Sequence, residues 1–61
     1  MKSAEKKGFT YGFVYAVAQC IRLGQEDVAE QLWNESGFKE SDIEGCDEYD
    51  VDEVKRLLEN L

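Results

Sequence analysis

Two cysteines are the first side chains in this sequence that could do chemistry. The chain has 61 residues with Cys20 and Cys46, and it has no histidine. Structural zinc sites use four Cys or His ligands, so this set is too small for one. Cys46 lies in the acidic segment EGCDE, residues 44–48, where neighbouring carboxylates should raise the pKa of a thiol and suppress its nucleophilicity. The sequence does not decide whether Cys20 and Cys46 form a disulfide, although a cytosolic chain would keep both thiols reduced.

A run of carboxylates between residues 42 and 53 is the second candidate for chemistry. A calcium loop of EF-hand type needs Asp or Asn at its third and fifth positions. Starting at Asp47 the third position is Tyr49, and starting at Asp50 the fifth is Val54. We therefore predict no metal and no cofactor. With no histidine, no glycine-rich phosphate loop and no nucleophile beside a base, we also predict that the chain is not an enzyme.

The charge is unevenly distributed along the chain. The net charge is −7, with +3 in residues 1–24 and −10 in residues 25–61. A surface of this sign repels phosphate backbones, so direct nucleic-acid binding is not expected and partners should be neutral or basic proteins. The acids are either solvated helix caps or a surface that imitates DNA and occupies a basic groove.

The segment GFTYGFVYAVAQC, residues 8–20, follows Lys6 and Lys7 and resembles an export signal, with Ala16-Val17-Ala18 as a cleavage site. Tyrosines, a threonine and two glycines occupy the positions where such a signal carries leucines. The run is also too short for a membrane span, which needs about 20 mostly apolar residues. We interpret the segment as an internal helix of a cytoplasmic protein that does not enter a membrane.

The helical wheel of this segment predicts a helix at the centre of the fold. At about 100° per residue, an apolar arc of about 200° holds Phe9, Gly12, Phe13, Val14, Ala16, Val17, Cys20, Ile21 and Leu23. The other side holds Tyr11, Tyr15, Ala18, Gln19 and Arg22. An ordinary surface helix needs an apolar stripe only somewhat wider than 100°. The small residues Gly8, Gly12 and Ala16 either permit close approach of another backbone or weaken the start of the helix.

The remaining sequence predicts three more helical segments and no strand. Gly24 ends the first helix and is a candidate N-cap of the second, which ends at Gly37. Ser41 begins an S-x-x-E capping box for a single turn, and Asp50 is a candidate N-cap for an amphipathic helix that reaches Leu61. The predicted fold is an all-α bundle in one domain, residues 1–61, of which residues 1–7 are candidates for fraying.

Self-association is predicted to complete this bundle. A chain this short buries only about 60% of the surface of its unfolded form, and the apolar arc is wider than one neighbour can cover. We predict a homodimer whose candidate seam is Phe9, Gly12, Phe13, Tyr15, Ala16 and Gln19. The candidates for binding another protein are the exposed aromatic and acidic residues Tyr11, Tyr15, Asp42, Glu44, Asp47, Glu48 and Asp52.

Several motifs resemble those of small uncharacterised accessory proteins of tailed phages and prophages. They are GF at 8–9, GFVYAVA at 12–18, AE at 29–30 with Leu32, ESGF at 35–38 and DEYD at 47–50. The resemblance implies a phage product in the cytoplasm of a bacterial host that binds and modulates a host protein. The alternative is a DNA mimic that inhibits a nucleic-acid-binding host defence or regulatory protein.

Overall fold

A computed structural model describes residues 3–60 of the chain, with side chains from Lys7 onwards. Helix α1 spans Ser3–Arg22, α2 spans Glu26–Ser36, a 3₁₀ helix spans Glu40–Ile43 and α3 spans Glu48–Glu59. Within the described residues there is no strand. The predicted all-α bundle and its order of elements are confirmed. The single domain and the fraying of residues 1–7 stay predictions, and residues 1, 2 and 61 lie outside the described part.

The end of α1 is closed by the glycine that the sequence indicated. Gly24 has a φ of 79°, which is the left-handed conformation. Its N–H donates to the carbonyl of Ile21 at 3.0 Å, and the N–H of Gln25 donates to the carbonyl of Cys20 at 2.8 Å. These two bonds form a Schellman motif, which satisfies carbonyls left over at a helix end. The N-cap of α2 is Gln25, so the prediction that Gly24 would cap α2 is wrong.

The end of α2 turns the chain back onto α1. Gly37 is left-handed, with a φ of 73°. The Ser36 hydroxyl donates to the carbonyl of Trp33 at 2.6 Å and accepts from the N–H of Phe38 at 3.0 Å. The Phe38 ring then lies edge-on against Phe13 and Trp33, at centroid distances of 5.3 and 6.3 Å. The predicted left-handed cap at Gly37 is confirmed, and it places an aromatic side chain between two helices.

The two acidic helix starts differ from the predictions by a few residues. Lys39, and not Ser41, is the N-cap of the 3₁₀ helix, and its N–H donates to the Asp42 carboxylate at 2.8 Å. Asp47 is the N-cap of α3, and its carboxylate accepts from the N–H groups of residues 49 and 50. The predictions of Ser41 and Asp50 as caps are therefore wrong. Asp50 instead lies in the first turn of α3 with only 8% of its surface exposed.

The core forms where α1 meets the other three elements. Helix α1 packs against α2, the 3₁₀ helix and α3, which confirms its predicted central place. The core residues are Val14, Val17, Ala29, Trp33, Ile43, Val54 and Leu57. Ile43 is completely buried, so the short 3₁₀ helix is attached to the bundle through its last residue.

The buried face of α1 is narrower than the predicted arc, and its centre is shifted. Among residues 7–22 of this helix, the buried residues are Thr10, Val14, Val17 and Ala18. Ala18, which the wheel placed on the polar side, is completely buried. The residues of the predicted arc that are exposed instead are Phe9, Gly12, Ala16 and Leu23. The apolar residues of α1 therefore cover the core on one side and face outwards on another.

Over the part of the chain that the structure describes, no helix combines the length and the apolarity that crossing a bilayer requires.

Candidate partner-binding surface

One concave feature of the described surface is an acidic cleft between the 3₁₀ helix and α3. It has a volume of about 540 Å³. Four carboxylates and one ammonium group surround it, above a floor formed by the half-buried Val51 and Cys46, with the fully buried Ile43 beneath. The lining residues are Glu40, Ser41, Ile43, Glu44, Gly45, Cys46, Glu48, Val51, Asp52 and Lys55. A cleft with this lining presents negative charge at its rim and apolar surface at its base.

Helix α3 supplies one wall of the cleft because of the spacing of its side chains. The α3 residues that line the cleft are related by spacings of three and four and therefore share one helix face: Glu48, Val51, Asp52 and Lys55. Glu48 and Asp52 were predicted from the sequence. Val51 and Lys55 were not predicted as lining residues, and neither was Glu40 on the opposite wall. The three- and four-residue spacing from residue 48 to 55 is the signal that could have identified the α3 wall.

The structure separates the five predicted acidic residues into two groups. Glu44, Glu48 and Asp52 line the cleft and are exposed. Asp42 and Asp47 are also exposed, but their carboxylates accept backbone N–H groups at the starts of the 3₁₀ helix and α3. The first group is available to a partner, whereas the second stabilises the two helix starts that form the walls.

The two predicted tyrosines of α1 lie in different surroundings. The Tyr11 hydroxyl lies 3.7 Å from the point that a Cβ atom on Gly45 would occupy. Gly45 lines the cleft, so Tyr11, which is 45% exposed, borders the acidic surface. Tyr15 is 54% exposed and lies one turn further along α1. Only Tyr11 is shown next to the acidic residues, which makes it the aromatic component of this surface.

Cys46 brings a thiol to the cleft, but its environment disfavours the reactive form. Burial raises the pKa of the Cys46 thiol, and the nearby Asp50 carboxylate raises it further. The predicted direction is confirmed, although burial is the larger cause and Asp50 the contributing acid. Cys20 and Cys46 are both free thiols in the structure. Because the thiolate is the nucleophile, Cys46 is suited to lining the cleft and poorly suited to nucleophilic attack.

An ion pair behind the cleft fixes the start of α3 to the end of α1. Arg22 contacts the Asp50 carboxylate at 3.0 Å, and its other terminal nitrogen donates to the Gln19 side chain at 2.8 Å. The Asp50 side chain is 11% exposed and that of Arg22 is 35% exposed. Asp50 is thereby held away from the surface, so it does not add to the charge that a partner would meet directly.

The candidate seam residues lie mostly on the outer side of α1. Phe9, Gly12, Tyr15 and Ala16 are exposed and Gln19 is half-buried. Phe13 is half-buried too, but its ring packs within the chain against those of Phe9 and Phe38. Four of the six candidates are therefore exposed, and the homodimer itself stays a prediction.

Among the described residues, no group of three or more His, Cys, Asp or Glu side chains is placed to hold a metal ion. The chain matches no protein-family model, no curated protein and no solved structure at a significant level. The resemblance to phage accessory proteins accordingly stays a prediction.

Proposed function

We propose that this chain is a non-catalytic binding module whose acidic cleft receives a basic segment of a partner protein. The observation that carries the proposal is the cleft itself, with Glu40, Glu44, Glu48 and Asp52 around an apolar floor. Lysine and arginine combine an apolar stem with a charged end, so they can bury the stem while the charge stays at the surface. The cleft has the complementary order, with apolar side chains at its base and carboxylates at its rim.

The charge distribution around the cleft supports the same kind of partner. Residues 40–53 contain eight acids and neither lysine nor arginine. Such a surface attracts a basic partner over a distance and accelerates the encounter, in a manner that salt weakens. Tyr11 beside Gly45 adds an aromatic side chain of the type that contributes strongly to binding at protein interfaces. Charge would govern the approach of the partner, and Tyr11 with the apolar floor would govern its retention.

The cellular setting of the proposal comes from the sequence resemblance. Small phage and prophage accessory proteins act in the cytoplasm of a bacterial host. In this setting the partner is a host protein or complex, and binding of the module modulates its activity. A catalytic role is not part of the proposal, because the thiol in the cleft has a raised pKa and the sequence offers no histidine as a base.

The test compares two variants that change the charge equally at different places. The cleft variant carries Glu44→Gln, Glu48→Gln and Asp52→Asn. The control variant carries Glu26→Gln, Asp27→Asn and Glu30→Gln, three acids of α2 that do not line the cleft. Each variant and the unchanged chain are immobilised on resin and incubated separately with host lysate. The retained proteins are identified by mass spectrometry.

We expect the cleft variant to lose a basic protein that the unchanged chain and the control variant retain. Tyr11→Ala should weaken the same interaction without altering the net charge. Equal retention by all the variants would contradict the proposal, and so would equal loss in the cleft and control variants, because net charge alone would then be responsible.

A DNA mimic is the second candidate, favoured by the exposure of all five predicted acids. In this function the acids replace phosphates in a nucleic-acid-binding groove, and the geometry of single pockets matters less. Duplex DNA should then displace the module from the captured protein, and the control acids should contribute alongside the cleft acids. If DNA does not compete, the mimic is rejected and a peptide-binding cleft remains.

A further inference from the structure

One positively charged side chain interrupts the acidic rim of the cleft. Lys55 is exposed and lines the cleft together with Glu40, Glu44, Glu48 and Asp52. A purely cationic segment would be repelled by this ammonium group, because like charges that face each other across an interface oppose binding. The proposed function accounts for the four carboxylates of the rim, but it leaves Lys55 without a role.

The charges of the rim are not neutralised by other side chains of the described chain. Among residues 7–60 the side-chain ion pairs lie elsewhere, between Arg22 and Asp50 and between Arg56 and Glu53. Asp52 and Lys55 are three residues apart on one face of α3, where an ion pair could form, but within the described residues they make none. Both signs of charge in the cleft are therefore available to a ligand.

Helix geometry sets the distance between the two kinds of charge on the α3 wall. Glu48 and Asp52 are about one turn apart, so a cation that contacts both carboxylates lies near the level of residue 50. Lys55 is further along the chain, at about 7.5 Å along the helix axis from that level. In an extended peptide, side chains on one face recur every second residue, at about 6.5 Å. A basic side chain and an acidic side chain two positions away therefore match this wall.

We propose that the partner segment in the cleft is extended and zwitterionic, with a basic residue between Glu48 and Asp52 and an acidic residue two positions away at Lys55. This inference rests on the proposed function and adds the chemistry of the ligand to it. The acid is a side chain, because it must lie on the same face of the peptide as the basic residue, whereas a terminal carboxylate lies in the line of the backbone. Val51, which lines the cleft, contacts the apolar stem of the basic residue.

The dimensions and the total charge of the cleft suit a short segment of this kind. Its volume of about 540 Å³ falls within the range of ligand pockets, about 300–1,000 Å³. The α3 wall from Glu48 to Lys55 runs about 10.5 Å along the helix axis, which an extended peptide covers with about three residues. The lining has a net charge of −3, from four acids and one lysine, so the residues that flank the zwitterionic pair are expected to be neutral or basic.

The test uses two peptides with blocked ends, Ala-Ala-Arg-Ala-Glu-Ala-Ala and the same peptide with glutamine in place of the glutamate. Each is titrated into the isotope-labelled full chain, and NMR shifts of the amides along the cleft give the dissociation constant. We expect the glutamate peptide to bind about two- to fivefold more tightly, the range of an exposed ion pair. A third peptide, with the glutamate directly after the arginine, directs the acid away from Lys55 and should bind like the glutamine peptide.

Lys55→Met tests whether this ammonium group binds the acid. The variant should remove the difference between the two peptides, and it should tighten the glutamine peptide, because for that peptide only the repulsion of the arginine is lost. Arg56→Met removes the same charge from another face of α3, where Arg56 borders a groove with Ile21, and it should preserve the difference. A Lys55→Met variant that changes the affinity of both peptides by the same factor would overturn the proposal.

A double variant separates this proposal from the proposed function. Glu48→Gln combined with Asp52→Asn should weaken the binding of both peptides. If both peptides bind the unchanged chain equally and both are weakened by the double variant, the cleft binds basic segments and only the zwitterionic ligand is rejected. If neither peptide binds the unchanged chain, or the double variant weakens neither, the proposed function fails as well. Tighter binding of a peptide that places a free terminal carboxylate two positions after the arginine would overturn the assignment of the acid to a side chain.

Discussion

Helix α1 is attached to the rest of the molecule by different chemistry at its middle and at its C-terminal end. Near the middle, Phe13 contacts Phe38 edge-on, and Phe38 in turn contacts Trp33 of α2. At its C-terminal end, Arg22 contacts the Asp50 carboxylate at the start of α3. The aromatic attachment joins α1 to the end of α2, and the ionic attachment joins α1 to the beginning of α3.

The difference between these attachments lies in what happens when one member is removed. Loss of a buried aromatic ring costs both the transfer of its surface and the cavity left behind. Loss of one charge costs little if its partner can be solvated, and more if the partner stays buried. The aromatic attachment should therefore contribute most of the stability. For the ionic attachment, the cost in stability should depend strongly on which member of the pair is removed.

The largest effect is expected from the aromatic attachment. Trp33 is 7% exposed, and Trp33→Ala should lower the free energy of unfolding by about 3–5 kcal/mol because it leaves a large cavity. Urea unfolding followed by circular dichroism measures this change. A chain of this size has a total stability of only several kcal/mol, about 0.05–0.15 kcal/mol per residue. Trp33→Phe therefore serves as a milder variant if Trp33→Ala does not fold.

Tyr49 provides the matched control for the loss of an aromatic ring. It lies on α3 and is 71% exposed, so Tyr49→Ala should change the free energy of unfolding by no more than about 0.5 kcal/mol. The comparison fails if Trp33→Ala and Tyr49→Ala destabilise the chain equally, because burial would then not explain the difference between them.

The next effect is expected from the ionic attachment. Arg22→Ala removes the cation from the Asp50 side chain, which is only 11% exposed in the unchanged chain, and this should cost about 1–3 kcal/mol. The control is Arg56→Ala, which removes a 3.5 Å contact to Glu53 from a position where the arginine side chain is 72% exposed. That change should cost no more than about 0.5 kcal/mol. Similar costs for the two arginines would show that the ionic attachment is an ordinary surface pair.

The same two attachments show how far the sequence could predict the fold. The order and type of the four helical elements followed from spacing, glycines and acidic helix starts, and they are confirmed. The choice between Asp47 and Asp50 as N-cap did not follow, because both precede suitable residues and local signals rank them alike. In the structure Asp47 is the cap, and Asp50 lies in the first turn, where it contacts Arg22, a residue distant in sequence.

The candidate site was predictable only in part for a related reason. The acids were identified from composition, but the cleft requires the 3₁₀ helix and α3 to face each other, with Ile43 holding the former in place. Similarly, the wheel of α1 assigned faces from hydrophobicity alone. Burial of Ala18 and exposure of Leu23 result from where the neighbouring helices pack, which no single helix specifies.

A smaller effect is expected at Gly12 of α1, one residue before the aromatic attachment at Phe13. Gly12→Ala should stabilise the monomeric chain by about 0.5–1 kcal/mol, because alanine favours the helix and its added Cβ meets no other atom within 4 Å. Unfolding at high dilution measures the monomer. Gly37→Ala is the opposing control, since a φ of 73° disfavours alanine and should cost about 1–2 kcal/mol. A destabilising Gly12→Ala would show that α1 is packed more closely there than the structure indicates.

The smallest effect concerns the Cys46 thiol, whose pKa responds to the Asp50 carboxylate of the ionic attachment. Its pKa is raised by burial and by Asp50, so the folded state holds the thiol proton more tightly than the unfolded state. The resulting stability is fully present below the pKa of the unfolded thiol and is lost as the pH rises through the folded pKa. Cys46→Ala should remove this alkaline loss of stability.

The dependence of alkylation rate on pH measures the same pKa directly. Reaction of Cys46 with iodoacetamide, followed by mass spectrometry of the modified peptide, should require a higher pH in the folded chain than in urea. Asp50→Asn should lower the folded pKa because it removes the neighbouring negative charge. Arg22→Ala should raise it, since the Asp50 charge would lose its compensating guanidinium. If Arg22→Ala leaves the pH profile unchanged, the ion pair does not control the charge near the Cys46 thiol, and the two attachments of α1 would differ in packing alone.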